Sequence, residues 1–285
     1  MSLPSLIARL RLLPVGLHLI YGALLVALLF RFGGALWRQR LKRAWSRQLL
    51  TLLGIRLESG AGELAAIEGG LLVSNHISFI DIYVINALLP SGFVAKSDVA
   101  QWPLIGWLAR HNDTVFIERG SRKAAHLTHQ HMRAALGAGR RLAIFPEGTT
   151  TAGDTLLPFH AALFQSAIDA AVPVHAIALS YHDHAGTRCA APAYIADISL
   201  LDCLLSILQT RGLVARVTLA ASFAPPLADR RPLAHSAHQA VAAAMAPAAG
   251  RAPVFPARDF NPANRGGKPF AQPAQPFRNE AAITR

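Results

Sequence analysis

The chain has 285 residues, enough to bury a large apolar core in one domain or in two small ones. Lys and Arg outnumber Asp and Glu by 28 to 16, which gives a formal charge of +12, while 52% of the residues are hydrophobic and only 15% are charged. Aromatic residues, at 7%, are too few for the stacking surface of a nucleic-acid binder, so no nucleic-acid partner is predicted. The basic residues are instead predicted to bind a membrane surface that contains anionic lipid.

The N-terminal segment begins with an apolar run at residues 12–30, LLPVGLHLIYGALLVALLF, whose length is close to that needed to span a bilayer. No small-x-small cleavage pattern follows this run, so it is expected to be retained rather than removed as a signal peptide. A basic amphipathic helix is predicted next, with these cations: Arg31, Arg38, Arg40, Lys42, Arg43 and Arg47. Such a helix lies in the headgroup layer or, alternatively, packs its charged face against its own domain.

Residues 1–54 are therefore predicted to be a membrane anchor that either spans the bilayer or lies flat on it. The positive charges that follow the apolar run place the rest of the chain on the cytoplasmic side of the inner membrane. The two cysteines, Cys189 and Cys203, lack the spacing of a metal site and are interpreted as reduced packing residues.

From residue 70 to about residue 225, short apolar runs alternate with helical stretches, which is typical of an α/β layer fold. Strands are predicted at residues 71–74, 92–95, 115–117, 142–145, 174–180 and 213–219. Helices are predicted at residues 80–89, 121–137, 160–171, 199–210 and 233–247. Residues 55–250 are thus expected to form one domain, and residues 251–285, rich in Pro, Gly, Asn and Arg, to form a disordered basic tail.

A histidine and an aspartate follow the first of these strands, with His76 just past its end and Asp81 in or near the first turn of the next helix. Loops after strands carry the chemistry of α/β folds. A carboxylate beside a histidine fixes its tautomer and stabilises the imidazolium, as a general base requires. Ser74 and Ser78 lie in no nucleophile-elbow pattern, so His76 is predicted to activate a hydroxyl of the substrate.

Further blocks in a fixed order give the chain a resemblance to the glycerolipid acyltransferase family. They are NHISFID (Asn75, His76, Ser78, Asp81), AKSDVAQWPLIGWLAR (Lys96, Pro103, Gly106), VFIERGSR (Arg119) and FPEGT (Phe145 to Thr149), followed by the strand VPVHAIAL. The resemblance covers about residues 55–225. It implies an α/β fold with a mixed central sheet and helices on both faces, like that of glycerol-3-phosphate acyltransferase, and makes residues 55–250 the catalytic domain.

The resemblance also implies roles for individual residues. His76 is expected to remove the proton of a lysolipid hydroxyl, which then attacks an acyl thioester of coenzyme A or acyl carrier protein, while Asp81 orients the histidine. Arg119 is expected to hold the phosphate of the acceptor. The residues expected to bind substrate are Asn75, Ser78, Lys96, Arg119, Glu147, Gly148 and Thr149. Apart from the acyl thioester co-substrate, no cofactor is implied.

Two positions depart from the family pattern: Thr150 stands where many members have arginine, and His160 replaces a common lysine. Lysophosphatidic acid is the predicted acceptor, with phosphatidic acid as the product. Lyso-ornithine lipid is a rival because its headgroup carries no phosphate. Acylation of glycerol 3-phosphate and a non-catalytic membrane protein that binds lipid are further alternatives. The remaining histidines, at positions 126, 129, 131, 182 and 184, are interpreted as solvated, and no metal site is predicted.

Overall fold

The computed structural model describes residues 3–102, 104–117 and 122–246, and seven strands of these residues form one sheet. In chain order the strands are β1 (Ile55–Ser59), β2 (Gly70–Ser74), β3 (Gly92–Lys96), β4 (Val115–Ile117), β5 (Arg141–Ile144), β6 (Val174–His182) and β7 (Leu213–Phe223). Their order across the sheet is β1-β7-β6-β2-β5-β3-β4. Neighbouring strands are parallel except β6 and β7, so the sheet is mixed, as predicted.

Helices cover both faces of the sheet. They are α1 (Leu3–Leu29), α2 (Ala35–Leu53), α3 (Ala61–Ala65), α4 (Asp81–Leu88), α5 (Ile105–His111), α6 (Arg122–Gly137), α7 (Gln165–Asp169), α8 (Leu200–Gln209) and α9 (Arg230–Met245), with short 3-10 helices at Ser97–Gln101 and Ala161–Phe164. Successive strand residues point to opposite faces, so Leu72 joins a core with α1, α2, α4 and α8, while Leu71 and Val73 join a core with α6, α7 and α9. The predicted arrangement of helices on both faces is confirmed.

The six predicted strands are all present, but β1, α3, α5 and the 3-10 helix at Ser97–Gln101 were not predicted. Strand β1 was not predicted because IRLES is a short edge strand with only two apolar residues, Ile55 and Leu57, and so has no apolar run. Helices α3 and α5 are too short to show a periodic pattern. The helix predicted at 160–171 is divided into a 3-10 turn and α7. The predicted tail at 251–285 lies outside the described residues.

Helices α1 and α2 form an N-terminal hairpin. The ring of His18 stacks on that of Trp45, with centroids 4.8 Å apart, and each side chain donates a hydrogen bond to the other residue's carbonyl at 3.1 Å. Arg11 donates to the carbonyls of Leu52 and Leu208, near the C-termini of α2 and α8, where helix carbonyls lack partners within the helix. Helix α1 is therefore fixed to the body of the protein by polar contacts along one side.

The outward side of α1 is apolar. Its exposed large side chains are Leu6, Ile7, Leu10, Leu13, Leu17, Ile20, Tyr21, Leu24, Leu28 and Leu29. Residues Leu6–Leu29 are long and apolar enough to cross a membrane. This combination of one packed side and one exposed apolar side indicates membrane association.

The basic side chains of α2 divide into two groups. Lys42, Arg43 and Arg47 donate hydrogen bonds to carbonyls at or just beyond the C-terminus of α4, as expected from the alternative in which the charged face of this helix packs against its own domain. A helix C-terminus attracts cations because its last carbonyls are unpaired and its dipole is negative there. The other three cations, Arg31, Arg38 and Arg40, are exposed at or near the turn of the hairpin, beside the exposed side chains of Phe32, Leu36 and Trp37.

Candidate active site

The residues of the predicted site follow the carboxyl ends of neighbouring parallel strands. His76 comes two residues after β2, Glu147 three residues after β5, and Lys96 is the last residue of β3. Strand β4 ends at Ile117, two residues before Arg119, which lies outside the described residues. The carboxyl edge of a parallel sheet is where α/β folds bind ligands, so the sheet topology brings these blocks to one edge.

His76 and Asp81 form a hydrogen-bonded pair. The Nδ1 atom of His76 lies 2.9 Å from Oδ2 of Asp81, and an ionised carboxylate only accepts, so the proton of a neutral His76 is assigned to Nδ1. The second nitrogen, Nε2, then carries the lone pair. The side chain of His76 is 20% exposed while that of Asp81 is fully buried, so a ligand can reach the histidine but not the aspartate.

Both carboxylate oxygens of Asp81 accept further hydrogen bonds. Oδ2 also accepts from the main-chain N–H groups of Ile77, at 2.7 Å, and Ser78, at 2.9 Å. Oδ1 accepts from the phenol of Tyr181, at 2.7 Å. Burial raises the pKa of Tyr181 well above its ordinary value, and the charge of Asp81 adds to this shift, so the phenol remains a donor. With four donors, the carboxylate has one orientation.

The imidazole of His76 rests on an aromatic surface. The ring of Phe145 stacks on it with centroids 3.9 Å apart and planes inclined by 8°, and Phe93 lies behind Phe145 at 6.1 Å. Phe145 belongs to the FPEGT block, which had been predicted to contribute through its later residues. The stack covers one face of the imidazole and restricts rotation of the ring about its Cβ–Cγ bond.

Glu147 joins the loop that carries His76 to the loop after β5. Its Oε1 accepts from the main-chain N–H of His76 at 2.7 Å, and its Oε2 accepts from that of Leu157 at 2.8 Å. Thr151 N–H donates to the carbonyl of His76 at 2.9 Å, so both main-chain polar groups of the histidine are bound by this second loop. Burial raises the pKa of Glu147, although the two N–H donors oppose the shift.

Asn75 and Ser78, which were predicted to bind substrate, are fully buried. The amide of Asn75 donates to the carbonyl of Leu179 at 2.9 Å and accepts from its N–H at 2.8 Å, which ties the end of β2 to β6. The hydroxyl of Ser78 accepts from the N–H of Ile80 at 3.4 Å, within the turn that begins α4. In this structure, both side chains hold the loop around His76 in place.

Three other predicted residues are at the surface of this edge. Gly148 has a φ of 70°, a conformation that favours glycine, and its N–H donates to the carbonyl of Phe145 at 3.0 Å. Thr149 and Lys96 have exposed side chains. These positions are accessible to a ligand, in contrast to Asn75 and Ser78.

The two positions that depart from the family pattern also have defined places. The hydroxyl of Thr150 donates to the carbonyl of Tyr194, in the segment between β6 and α8. His160 is exposed, and its N–H donates to the carbonyl of Pro146 at 2.9 Å. Thr150 therefore contributes a contact between two loops at a position where arginine would add a cation.

Sequence reasoning missed Tyr181 as part of the site. Its signal in the sequence is weak: an aromatic residue with a hydroxyl near the end of a predicted buried strand needs a hydrogen-bond partner, but nothing names that partner. Among the described residues, no group of three or more His, Cys, Asp or Glu side chains is placed to hold a metal ion.

Comparisons with known proteins agree with this arrangement. The family model described as Acyltransferase matches residues 57–180. A 1-acyl-sn-glycerol-3-phosphate acyltransferase of Neisseria meningitidis is 42% identical over 171 residues, which are 60% of this chain and 67% of the relative. A lyso-ornithine lipid O-acyltransferase of Pseudomonas aeruginosa is 39% identical over 208 residues, 73% of this chain and 79% of the relative.

The fold is also similar to a solved structure. The crystal structure of the 1-acyl-sn-glycerophosphate (LPA) acyltransferase PlsC from Thermotoga maritima matches with a TM-score of 0.61 and 18% identity, over 84% of this chain and 96% of that chain. The family match covers the histidine, the aspartate and the FPEGT block, whose contacts are described above. On this sequence similarity, the chain belongs to the acyltransferase family.

Proposed function

We propose that the protein transfers a fatty acyl group from a thioester of coenzyme A or acyl carrier protein to the free hydroxyl of a lysolipid. His76 is the general base and Asp81 orients it. The observation that carries this proposal is the hydrogen bond between Nδ1 of His76 and the buried carboxylate of Asp81, which leaves Nε2 as the basic nitrogen of a partly exposed ring.

In the proposed reaction, Nε2 takes the proton of the lysolipid hydroxyl while the oxygen attacks the thioester carbonyl carbon. The tetrahedral intermediate then expels the thiolate, which receives the proton from the imidazolium. Asp81 stabilises the imidazolium between these two transfers because its carboxylate accepts from Nδ1–H. The products are the acylated lipid and the free thiol, and no further reactant is needed.

Lysophosphatidic acid is the proposed acceptor, with phosphatidic acid as the product. The identity to the Neisseria 1-acyl-sn-glycerol-3-phosphate acyltransferase supports this choice. Arg119, as the cation of the VFIERGSR block, is proposed to bind the acceptor phosphate, and Lys96, Gly148 and Thr149 are proposed to contact substrate. The exposed side chains of Lys96 and Thr149 are compatible with such contacts.

Lyso-ornithine lipid is a second candidate acceptor, and a specific observation favours it. Thr150 stands where the family pattern has arginine, and its hydroxyl donates a hydrogen bond to the carbonyl of Tyr194. His160 stands where the pattern has lysine. A headgroup without phosphate needs fewer cations around it. The Pseudomonas lyso-ornithine lipid O-acyltransferase also aligns with more of this chain than the Neisseria relative does.

We further propose that the protein works at the inner membrane with its catalytic domain in the cytoplasm, where acyl thioesters are made. The exposed apolar side of α1 supports contact with the bilayer, and Arg31, Arg38 and Arg40 supply positive charge for an anionic leaflet.

An acceptor panel tests the proposed function. The purified protein in detergent is supplied with labelled palmitoyl-CoA or palmitoyl carrier protein, and with lysophosphatidic acid, lyso-ornithine lipid or glycerol 3-phosphate, with His76→Ala as the control. The expected result is labelled phosphatidic acid that disappears in the control. Product from lyso-ornithine lipid alone would reassign the acceptor, and product from no pair would contradict the proposed function.

A further inference from the structure

Tyr181 makes a buried hydrogen bond that neither the motif blocks nor the family match include. The family match ends at residue 180, one residue before Tyr181. The phenol is only 2% exposed and donates to Oδ1 of Asp81 at 2.7 Å, across 100 positions of sequence. Oδ2, the other oxygen of the same carboxylate, accepts a hydrogen bond from Nδ1 of His76. Tyr181, Asp81 and His76 therefore form one continuous chain of hydrogen bonds.

The position of Tyr181 is determined by the sheet. Strand β6 pairs with β2 on one side and with β7 on the other, and Tyr181 lies opposite Ala215 in the antiparallel β6–β7 register. Its carbonyl accepts from the N–H of Cys189 at 2.9 Å. The phenol is thus presented to the His76 loop by a strand in the interior of the sheet, which is more rigid than a loop.

Strand β6 holds the His76 loop at two points. Leu179 exchanges two hydrogen bonds with the side chain of Asn75, directly before His76, and Tyr181 binds Asp81 at the start of α4. The loop between β2 and α4 is consequently fixed by β6 on both sides of the histidine. Removing the phenol would leave Oδ1 buried without this donor, and the carboxylate could then rotate away from Nδ1.

We propose that Tyr181 is a positioning residue for acyl transfer, which holds Asp81 in the orientation that keeps His76 ready to accept the substrate proton. The inference rests on the proposed function, because it assigns the proton transfer to His76. Tyr181 acts through Asp81 and has no contact of its own with substrate in this account.

The test compares Tyr181→Phe with wild type, with Tyr83→Phe as a matched control that removes a phenol two residues after Asp81 without touching its carboxylate. For Tyr181→Phe we expect kcat to fall about tenfold, the loss that one hydrogen bond of ordinary strength produces, with the KM for the acceptor nearly unchanged. Tyr83→Phe should leave both kcat and KM at their wild-type values.

A second variant avoids a change in fold. Replacing Tyr181 with 3-fluorotyrosine keeps the hydroxyl and the ring but makes the phenol a stronger donor. Because the donor to Asp81 remains, its kcat is expected to stay near that of wild type. A Tyr181→Phe protein with wild-type kcat would overturn the proposal, as would a fluorotyrosine protein that loses as much activity as Tyr181→Phe.

The failure of this inference is distinguishable from the failure of the proposed function. If wild type transfers acyl groups and His76→Ala does not, the function stands and only the Tyr181 measurements decide the inference. If His76→Ala retains wild-type transfer, the proposed base is wrong, and the inference about Tyr181 is overturned with it.

Discussion

At the scale of single residues, Asp81 determines which nitrogen of His76 is basic. Its buried carboxylate accepts from Nδ1, and two main-chain N–H groups and the Tyr181 phenol prevent it from turning. The stacked ring of Phe145 limits the rotation of the imidazole. The histidine is therefore oriented before substrate arrives, so little ordering remains to be done in the reaction.

Glu147 gives the first prediction at this scale. Both its oxygens accept main-chain N–H groups, from His76 and Leu157. In Glu147→Gln, one of these buried donors would face the NH₂ group of the amide instead of an acceptor. We expect the free energy of unfolding to fall by about 1–3 kcal/mol, measured by chemical denaturation in detergent.

Glu68→Gln is the control for this measurement. Glu68 is 79 positions before Glu147 in the sequence, and it is exposed to solvent. An unchanged free energy of unfolding in Glu147→Gln, equal to that of the control, would show that Glu147 does not hold the two loops together. A large increase in the acceptor KM with unchanged stability would support the alternative, direct contact with substrate.

At the scale of elements, the N-terminal hairpin is bound to the body through helix C-termini. Arg11 donates hydrogen bonds to carbonyls at the ends of α2 and α8. Lys42, Arg43 and Arg47 donate to carbonyls at the end of α4 and in the segment after it. The carbonyls that Arg11, Arg43 and Arg47 meet belong to last helical turns and have no partner within their helix, while Lys42 donates to Ser91 and Asn112, beyond the ends of α4 and α5. Part of the basic charge of this protein thus stabilises its own fold.

Lys42 gives a prediction for the pH dependence of stability. Burial lowers the pKa of Lys42 from 10.5 to about 8, against the attraction of Asp113, which raises it. Between pH 8 and pH 10.5 the unfolded chain binds more protons at this position than the folded chain, so the free energy of unfolding rises with pH. Relative to Lys42→Met, which does not titrate, wild type should gain up to about 3 kcal/mol across this interval.

The measurement is the difference in unfolding free energy between the two proteins, at matched pH values on both sides of the interval. Taking the difference removes the contributions of other titrating groups. A difference that stays constant, or one that shrinks as the pH rises, would mean that Lys42 is not buried against α4 as described.

The strands and helices that carry the site could be predicted from the sequence. The contacts between elements that are distant in sequence could not. The run LLVSNHISFID shows an apolar strand followed by a helix start, so the places of His76 and Asp81 were predictable. The partner of Asp81 was not, because Tyr181 is 100 positions away and only the order of the strands brings it near. The periodicity of α2 showed that its cations are interleaved with apolar residues, but not that Lys42, Arg43 and Arg47 meet the end of α4.

At the scale of the whole molecule, the chain combines the sheet edge that carries His76 with an apolar helix. Helix α1 is bound to the body on one side, through Arg11 and His18, and exposes large apolar side chains on the other. An exposed apolar surface of this extent is unusual for a protein that is surrounded by water and is explained by contact with a bilayer.

This surface gives a prediction for membrane partition. The protein should remain in the membrane fraction at about 1 M salt, because apolar contact is not screened, and should be released by detergent. Changing Leu13 and Leu17 to lysine, at positions 69% and 58% exposed, should weaken membrane retention. The control is Leu127→Lys on α6, which lies over the other face of the sheet and is 45% exposed.

Equal partition of the Leu13→Lys, Leu17→Lys protein and wild type would contradict a role for the outer side of α1 in membrane binding. Loss of retention in the Leu127→Lys control would contradict it as well, since that result would locate the lipid contact on the other face.

The central claim is that His76, oriented by Asp81, is the base of an acyl transfer, and one rate measures it most directly. Release of free thiol from palmitoyl-CoA is followed with the best acceptor for wild type, His76→Ala and Asp81→Asn, after circular dichroism has shown that each is folded. The account predicts that His76→Ala loses at least about a hundredfold in the acceptor-dependent rate and that Asp81→Asn loses activity with it. Acceptor-dependent thiol release by folded His76→Ala at the wild-type rate would contradict the account.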